Sequence, residues 1–156
     1  MKEILLTQYK IALVDDGDYK SLSQYKWYAI KSVSGNTYYA GRKDINHKTI
    51  LMHHQILGST AMTDHKDGNG CNNCRYNLRQ CSPSQNQMNQ IIQKRSSSGF
   101  KGVSRNGSSW AAYINHKGKH IYLGSYKIKT DAALIYNQKA IELFGEFAKL
   151  NIIMEN

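Results

Sequence analysis

No apolar run in this chain approaches the length needed to cross a bilayer, which excludes a membrane-spanning helix. No signal peptide opens it, and a cytoplasmic location is expected. Cysteine is scarce. Cys71, Cys74 and Cys81 are an odd number in one short cluster, which offers no disulfide framework and fits a reducing compartment. Proline is nearly missing: Pro83 is the single one in 156 residues. Acidic residues are few, 11 Asp+Glu against 21 Lys+Arg, leaving a formal net charge of +10 and a pI near 9.5.

The basic surplus runs through both halves: 11 basic and 7 acidic residues over 1–93 (+4), 10 and 4 over 94–156 (+6). Such a chain gains affinity for a polyphosphate by releasing condensed counterions, without reading any sequence. Charge alone is equally compatible with a merely soluble basic protein. Sixteen aromatics, 11 of them Tyr, supply material for a core and for contacts to bases or sugars. The length suits one or two small domains.

The chain divides into three parts. Residues 1–50 alternate polar and apolar in short bursts (KEILLT, KIALV, KWYAIKS, NTYYAGR, HKTILMH), with Ser34-Gly35-Asn36 and Asn46-His47-Lys48 as hairpin turns. They predict a small antiparallel sheet, interrupted by a short helix from Asp16 to Tyr25 with Tyr19, Leu22 and Tyr25 or Trp27 facing inward. A scaffold role is expected for this part. Met52–Leu57 should be helical, stopped by Gly58, and Met62–Asp64 should be a strand entering a tight turn. Ser82 as cap and Pro83 in the first turn predict a helix to about Gln93 that carries Asn86 and Asn89. Residues 94–99, KRSSSG, have linker composition.

From Phe100 onward, three strands separated by Asn106-Gly107 and Lys117-Gly118 lead into a helix. Thr130 is the expected cap, Asp131 suits the positive helix N-terminus, and Gly145 follows the last turn. Ala133, Tyr136, Ala140, Ile141 and Phe144 form one apolar stripe. The whole is expected to be α+β.

The chemistry concentrates in residues 62–89, MTDHKDGNGCNNCRYNLRQCSPSQNQMN. Asp64 and His65 stand side by side at a strand end, Asn77-Leu78 follows a Gly/Asn-rich turn, and Asn86 arrives on the helix. An imidazole base and oxygen ligands for a hard divalent cation are what phosphodiester hydrolysis requires. Cys71 and Cys74 have the spacing of half a zinc site, but a structural site wants four ligands, so free thiols are expected and zinc is not.

This stretch resembles the HNH (ββα-metal) nuclease motif, in the form found among phage-encoded and intron-encoded homing endonucleases. His65, Asn77 and Asn86 match its three places, over residues 50–90, and MHHQILG resembles the helix before the motif. The resemblance implies His65 as general base, Asn77 as a structural tie for the loop, and Asp64 with Asn86 as ligands for one Mg²⁺ or Mn²⁺. Adjacent strand residues point to opposite faces, so Asp64 and His65 converge only if the strand ends or twists there. Asp67 reads as a turn former ahead of the alternative, a second carboxylate. Arg75 and Arg79 read as phosphate contacts or a solvated rim. His53 and His54 fit packing or phosphate contact better than the alternative, that one of them faces the active site, and His47, His116 and His120 have no evident partner. A bacterial or phage-infected cell would be the setting.

Residues 100–151 resemble the plant ethylene-response-factor (Apetala-two) DNA-binding domain through FKGV, WAAYI, IYLGSY, DAALIYN and KLN. That family lays its sheet in the major groove of double-stranded DNA with the helix behind. Transferred here, the sheet would offer Lys101, Arg105, Trp110, Asn115, Lys119 and Tyr122 on one face. Trp110 reads equally well as a core residue against the helix. Lys, Ser104, Tyr113, Asn115 or His120 stand where the plant domains carry Arg, so fewer bidentate contacts to guanine are available. Two function classes follow: a metal-dependent DNA endonuclease with a DNA-reading tail, or a non-catalytic DNA-binding protein over a vestigial nuclease motif.

Overall fold

The computed structural model describes residues 1–33, 37–90 and 97–153. They form ten short strands and four helices in an α+β arrangement, with every strand pairing antiparallel. The chain divides into two compact units, Met1–Asn86 and Gln87–Asn156.

In the first unit, β1 (Lys2–Leu5) and β2 (Ile11–Val14) form a hairpin. The alternation of IALV sends Ala12 and Val14 inward, both fully buried, and β1 adds Ile4. Helix α1 covers Asp16–Leu22, three residues shorter than expected. Leu22 is buried and Tyr19 packs on the core, whereas Tyr25 is exposed. Trp27 takes the inward place instead, donating from Nε1 to the Leu22 carbonyl at 2.8 Å. A three-stranded sheet of β3 (Tyr28–Lys31), β4 (Tyr38–Lys43) and β5 (Thr49–Leu51) follows. The β4–β5 turn is the predicted one: Asp44 Oδ1 accepts the N–H groups of Asn46 and Lys48. The other expected turn, Ser34-Gly35-Asn36, lies outside the described residues.

Helix α2 (Met52–Leu57) ends on Gly58 at φ 62, the left-handed cap that glycine adopts without strain. It buries Met52, His53 and Ile56. Strand β6 (Thr63–His65) pairs with β7 (Leu78–Gln80), placing Asp64 opposite Arg79 and His65 opposite Leu78. Here the strand ends one residue later than expected, so that His65 closes it. Helix α3 spans Pro83–Met88, shorter than the expected run to Gln93, whose last residues lie outside the described ones. Its start is a capping box. Gln85 N–H donates to Ser82 Oγ (3.2 Å) while Ser82 N–H donates to Gln85 Oε1 (2.8 Å).

The second unit is a sheet of order β10-β9-β8, from β8 (Val103–Asn106), β9 (Ser109–His116) and β10 (Lys119–Tyr126), packed on α4 (Lys129–Phe144). Val103 and Ala112 meet Ala132 and Ala133, while Ile114 meets Tyr136 and Ala140. Two helix expectations are corrected. Ile128, not Thr130, occupies the cap position and makes no side-chain cap bond, and Ile141 of the apolar stripe is 54 % exposed. Of the linker expected over 94–99, residues 94–96 lie outside the described ones; Ser98 is buried, its Oγ donating to the Val103 carbonyl at 2.7 Å. Asn151 ties the chain end back to Lys101: its Oδ1 accepts Lys101 N–H (2.6 Å) and its Nδ2 donates to Lys101 O (3.1 Å).

Gly102 sits at φ 71 where a Cβ would overlap the Tyr136 ring and the Tyr113 carbonyl oxygen. Gly102→Ala is therefore expected to cost about 2–4 kcal/mol through backbone strain and overpacking. Urea denaturation followed by circular dichroism checks it, and an unchanged midpoint would mean that Tyr136 moves aside freely.

Candidate active site

Twelve residues, 66–77, connect β6 to β7, and their asparagines replace the backbone ladder that a regular hairpin would have. Asn77 is 2 % exposed. Its Oδ1 accepts the Asp67 N–H (3.0 Å), and its Nδ2 donates to Asp67 Oδ1 (3.0 Å) and to the Asn72 carbonyl (2.8 Å). Asp67 also accepts from Asn69 N–H (2.8 Å) and from Asn72 Nδ2 (2.8 Å). Its carboxylate is therefore the hub of the turn.

The loop is stitched to its neighbours. Leu13 N–H donates to Cys71 O (2.9 Å) and Asn73 N–H to Leu13 O (2.8 Å), which fixes it to β2. Gly70 N–H donates to Thr37 Oγ1 (2.9 Å) and Cys71 Sγ to Tyr38 O (3.3 Å), which fixes it to the β4 side. Arg75 grips α1 through both oxygens of Asp18 at 2.8 Å and donates to the Ile56 carbonyl. The phosphate contact or solvated rim expected of Arg75 thus meets a guanidinium already holding Asp18.

His65, at the end of β6, is 5 % exposed. Its Nε2 lies 3.4 Å from Asn73 Oδ1. Its ring packs against His53 (centroids 5.1 Å, planes at 85°) and Tyr39 (5.7 Å, 53°). Burial pushes the His65 pKa below its ordinary value, against upward pulls from the Asn73 bond, Asp67 and Asp64. The imidazole is therefore neutral near pH 7. His53 is 4 % exposed and its Nδ1 has no hydrogen-bond partner; burial first, then the neighbouring His65 and His54, lowers its pKa to about 3. Tyr39 is pushed upward by burial and by the Asp64 charge.

Asp64, 5 % exposed, is paired across the ladder with Arg79, whose Nε and Nη2 donate to Oδ2 at 2.8 and 2.6 Å. The expectation for Arg79 is thus answered by a buried ion pair. Asn86 is half-buried on α3, and Asn89 is buried just beyond it. Strand β6 runs through both Asp64 and His65, at successive ladder positions, and the chain turns only after His65, where Gly68 N–H donates to the His65 carbonyl (2.8 Å). Cys71, Cys74 and Cys81 are unbridged thiols with pKa values raised by burial. Among the described residues no three His, Cys, Asp or Glu side chains converge as a metal-binding group.

The register divides the residues expected on one sheet face. Arg105 pairs with Trp110, in phase with buried Val103 and Ala112, and Lys119 pairs with His116, in phase with Ile114 and Ile121. Those residues lie on the helix side, with the Arg105 guanidinium 5.1 Å from the Trp110 ring centroid. Trp110 also packs on the core beside α4. Asn115 and Tyr122 lie on the opposite face, with His120 and Tyr113. There the Tyr113 ring stacks on His120 (4.7 Å, 16°), and His120 Nδ1 bonds Asn115 Oδ1. Lys101 precedes β8; its Nζ donates to the carbonyls of Met88 and Gln90, and burial lowers its pKa to about 8. Sequence reasoning missed Asn73 and Tyr39 as neighbours of His65. The Asn72-Asn73 pair was the available signal, but spacing alone does not tell which amide turns inward.

With this geometry in view, the relatives can be placed. The chain is 36 % identical over 135 residues, 85 % of its length and 70 % of the relative's, to an uncharacterized HNH endonuclease of Acanthamoeba polyphaga mimivirus. The chain belongs to the HNH endonuclease family. No protein-family model matches it. It is also 34 % identical over 88 residues, 55 % of the chain and 72 % of the relative, to Protein 3.8 of Escherichia phage T7. No helix among the described residues of this HNH nuclease is long and apolar enough to cross a membrane.

The buried imidazoles give the fold a pH dependence of definite sign. His53 is neutral when folded and ordinary when unfolded, so acid charges the unfolded chain first. Stability should hold above about pH 6.5 and decline as pH falls toward 3, by on the order of 4 kcal/mol from this residue. Urea midpoints measured from pH 7.5 to 4 check it, and His53→Gln should flatten the slope. A slope identical in the variant would assign the acid sensitivity to other groups.

Proposed function

We propose that this HNH nuclease is a homing-type endonuclease that hydrolyses DNA phosphodiesters with His65 as general base. The observation that carries the reading is the environment of His65. Its imidazole ends a strand, is kept neutral by burial, and is held by one amide and two rings. A neutral, oriented imidazole can take a proton from an attacking water. Asn77 contributes by keeping the turn after His65 closed, not by touching substrate.

The donor set suits a hard divalent cation, Mg²⁺ or Mn²⁺: the Asp64 carboxylate and the Asn86 amide oxygen. When bound, such a cation would supply charge neutralisation for the phosphate and the departing 3′ oxygen. In the free protein Asp64 holds Arg79 at 2.6 Å, so a cation would compete with a buried guanidinium for the same oxygen. Bringing a DNA phosphate to Arg79 relieves that competition, since a guanidinium binds phosphate as well as carboxylate. Cation affinity is therefore expected to be higher with DNA present.

The second unit would serve as the DNA-reading tail, in keeping with its resemblance to the ethylene-response-factor domain. Its sheet face away from α4 presents exposed Ser104, Asn115, His120 and Tyr122 with half-buried Tyr113. Arg105 and Lys119 are exposed on the helix side and would reach phosphates, not base edges.

His65→Ala removes the base without removing a phosphate contact. Plasmid nicking with Mg²⁺ should fall by on the order of 10²-fold or more while gel-shift affinity stays near wild type. Nicking at the wild-type rate would show that another group is the base.

Asp64→Asn and Asn86→Ala should each weaken Mn²⁺ binding in calorimetric titrations and lower turnover, partly recovered at high Mn²⁺. Titration curves matching wild type in both variants, with DNA present, would remove these two residues as ligands.

A further inference from the structure

Asn73 is the most deeply placed side chain beside His65, with no exposed surface. Its backbone is fixed from β2, through Asn73 N–H donating to Leu13 O at 2.8 Å. Its amide is fixed by a bonding inventory. Nδ2 lies 3.2 Å from the Cys71 carbonyl oxygen, which can only accept, so the nitrogen must be the end turned that way. The reversed amide would set two oxygens against each other in a dry place, a buried acceptor left unsatisfied. Oδ1 therefore faces His65.

An amide oxygen has no proton to give, so the imidazole Nε2 at 3.4 Å has to be the donor. The ring proton of neutral His65 then sits on Nε2 and the lone pair on Nδ1. The ring plane is held as well. His53 meets it nearly perpendicular at 5.1 Å from buried helix α2, and Tyr39 tilts against it at 5.7 Å from β4.

We propose that Asn73 is a positioning residue that keeps His65 in its Nε2–H tautomer, so that Nδ1 is the nitrogen that takes the proton from water. This rests on the reading of His65 as the general base. It adds which nitrogen acts and which side chain selects it. A wrong tautomer presents an N–H to the water where a lone pair is needed, and geometry otherwise intact does not compensate.

The test uses the ¹⁵N-labelled full chain and a long-range ¹H–¹⁵N correlation, well above the ordinary imidazole pKa of about 6.5. His65 should show a protonated Nε2 and an unprotonated Nδ1. Asn73→Leu, similar in volume but without an acceptor, should give mixed tautomers. It should lower kcat for nicking by about 10–100-fold with KM and gel-shift affinity unchanged. Asn73→Asp keeps the acceptor oxygen and should restore both the tautomer and most of the rate. A wild-type His65 protonated on Nδ1 would overturn the inference, and needs no variant to be observed. So would an Asn73→Leu protein that keeps a pure Nε2–H tautomer and the wild-type kcat. Undiminished nicking by His65→Ala is a separate observation, and it removes the base assignment on which the inference stands.

Discussion

The amide of Asn77, clasping Asp67 and Asn72 across the loop between β6 and β7, is the interaction on which the site depends. Twelve residues join two strands of three residues each, far more loop than ladder. Such a connection is stable only if its interior polar groups find partners within it. The sequence meets this with amides, since each carries both a donor and an acceptor on a short stem. Asn69, Asn72, Asn73 and Asn77 each bond loop backbone, and Asp67 gathers three of these residues around one carboxylate. Remove the clasp, and the strand end at His65 loses the turn that fixes its direction.

Burial then converts that geometry into chemistry. His65, His53 and Asp64 lie at about one-twentieth exposure, beside an apolar core that includes Met52, Ile56 and Leu78. Desolvation disfavours charge on both imidazoles, whereas the Asp64 carboxylate is paired with the Arg79 guanidinium across the ladder. The site therefore holds neutral bases beside a compensated ion pair.

Much of this was legible in the sequence because it rests on local rules. Gly58 as the helix stop, Ser82 as a helix cap and Asn46-His47-Lys48 as a hairpin turn each follow from a few adjacent residues. The Asp64-His65 pair at a strand end was readable for the same reason. What was not legible depends on partners distant in the chain. Arg75 meets Asp18 from 57 positions away and Asn73 meets β2, while neither contact has a signature at either end. Arg79 resembled a surface cation because nothing in its neighbourhood says that the residue opposite is an acid; only the register does.

The second unit makes the same point about faces. Counting alternate residues along each strand gives two sets, but it does not say which set of one strand adjoins which set of the next. Here the turn at Lys117-Gly118 pairs Lys119 with His116 and His120 with Asn115, which sends Lys119 toward the helix side and His120 away from it. The irregularity between Tyr122 and Gly124 then shifts the phase by one residue along β10, so that Tyr122 and Tyr126 lie on opposite faces despite an even separation. A single extra residue thus reverses the assignment of every side chain beyond it. The aromatic face of Tyr113, His120 and Tyr122 is thereby separate from the helix side, where Arg105 and Lys119 stand on the two outer strands, at opposite ends of β9.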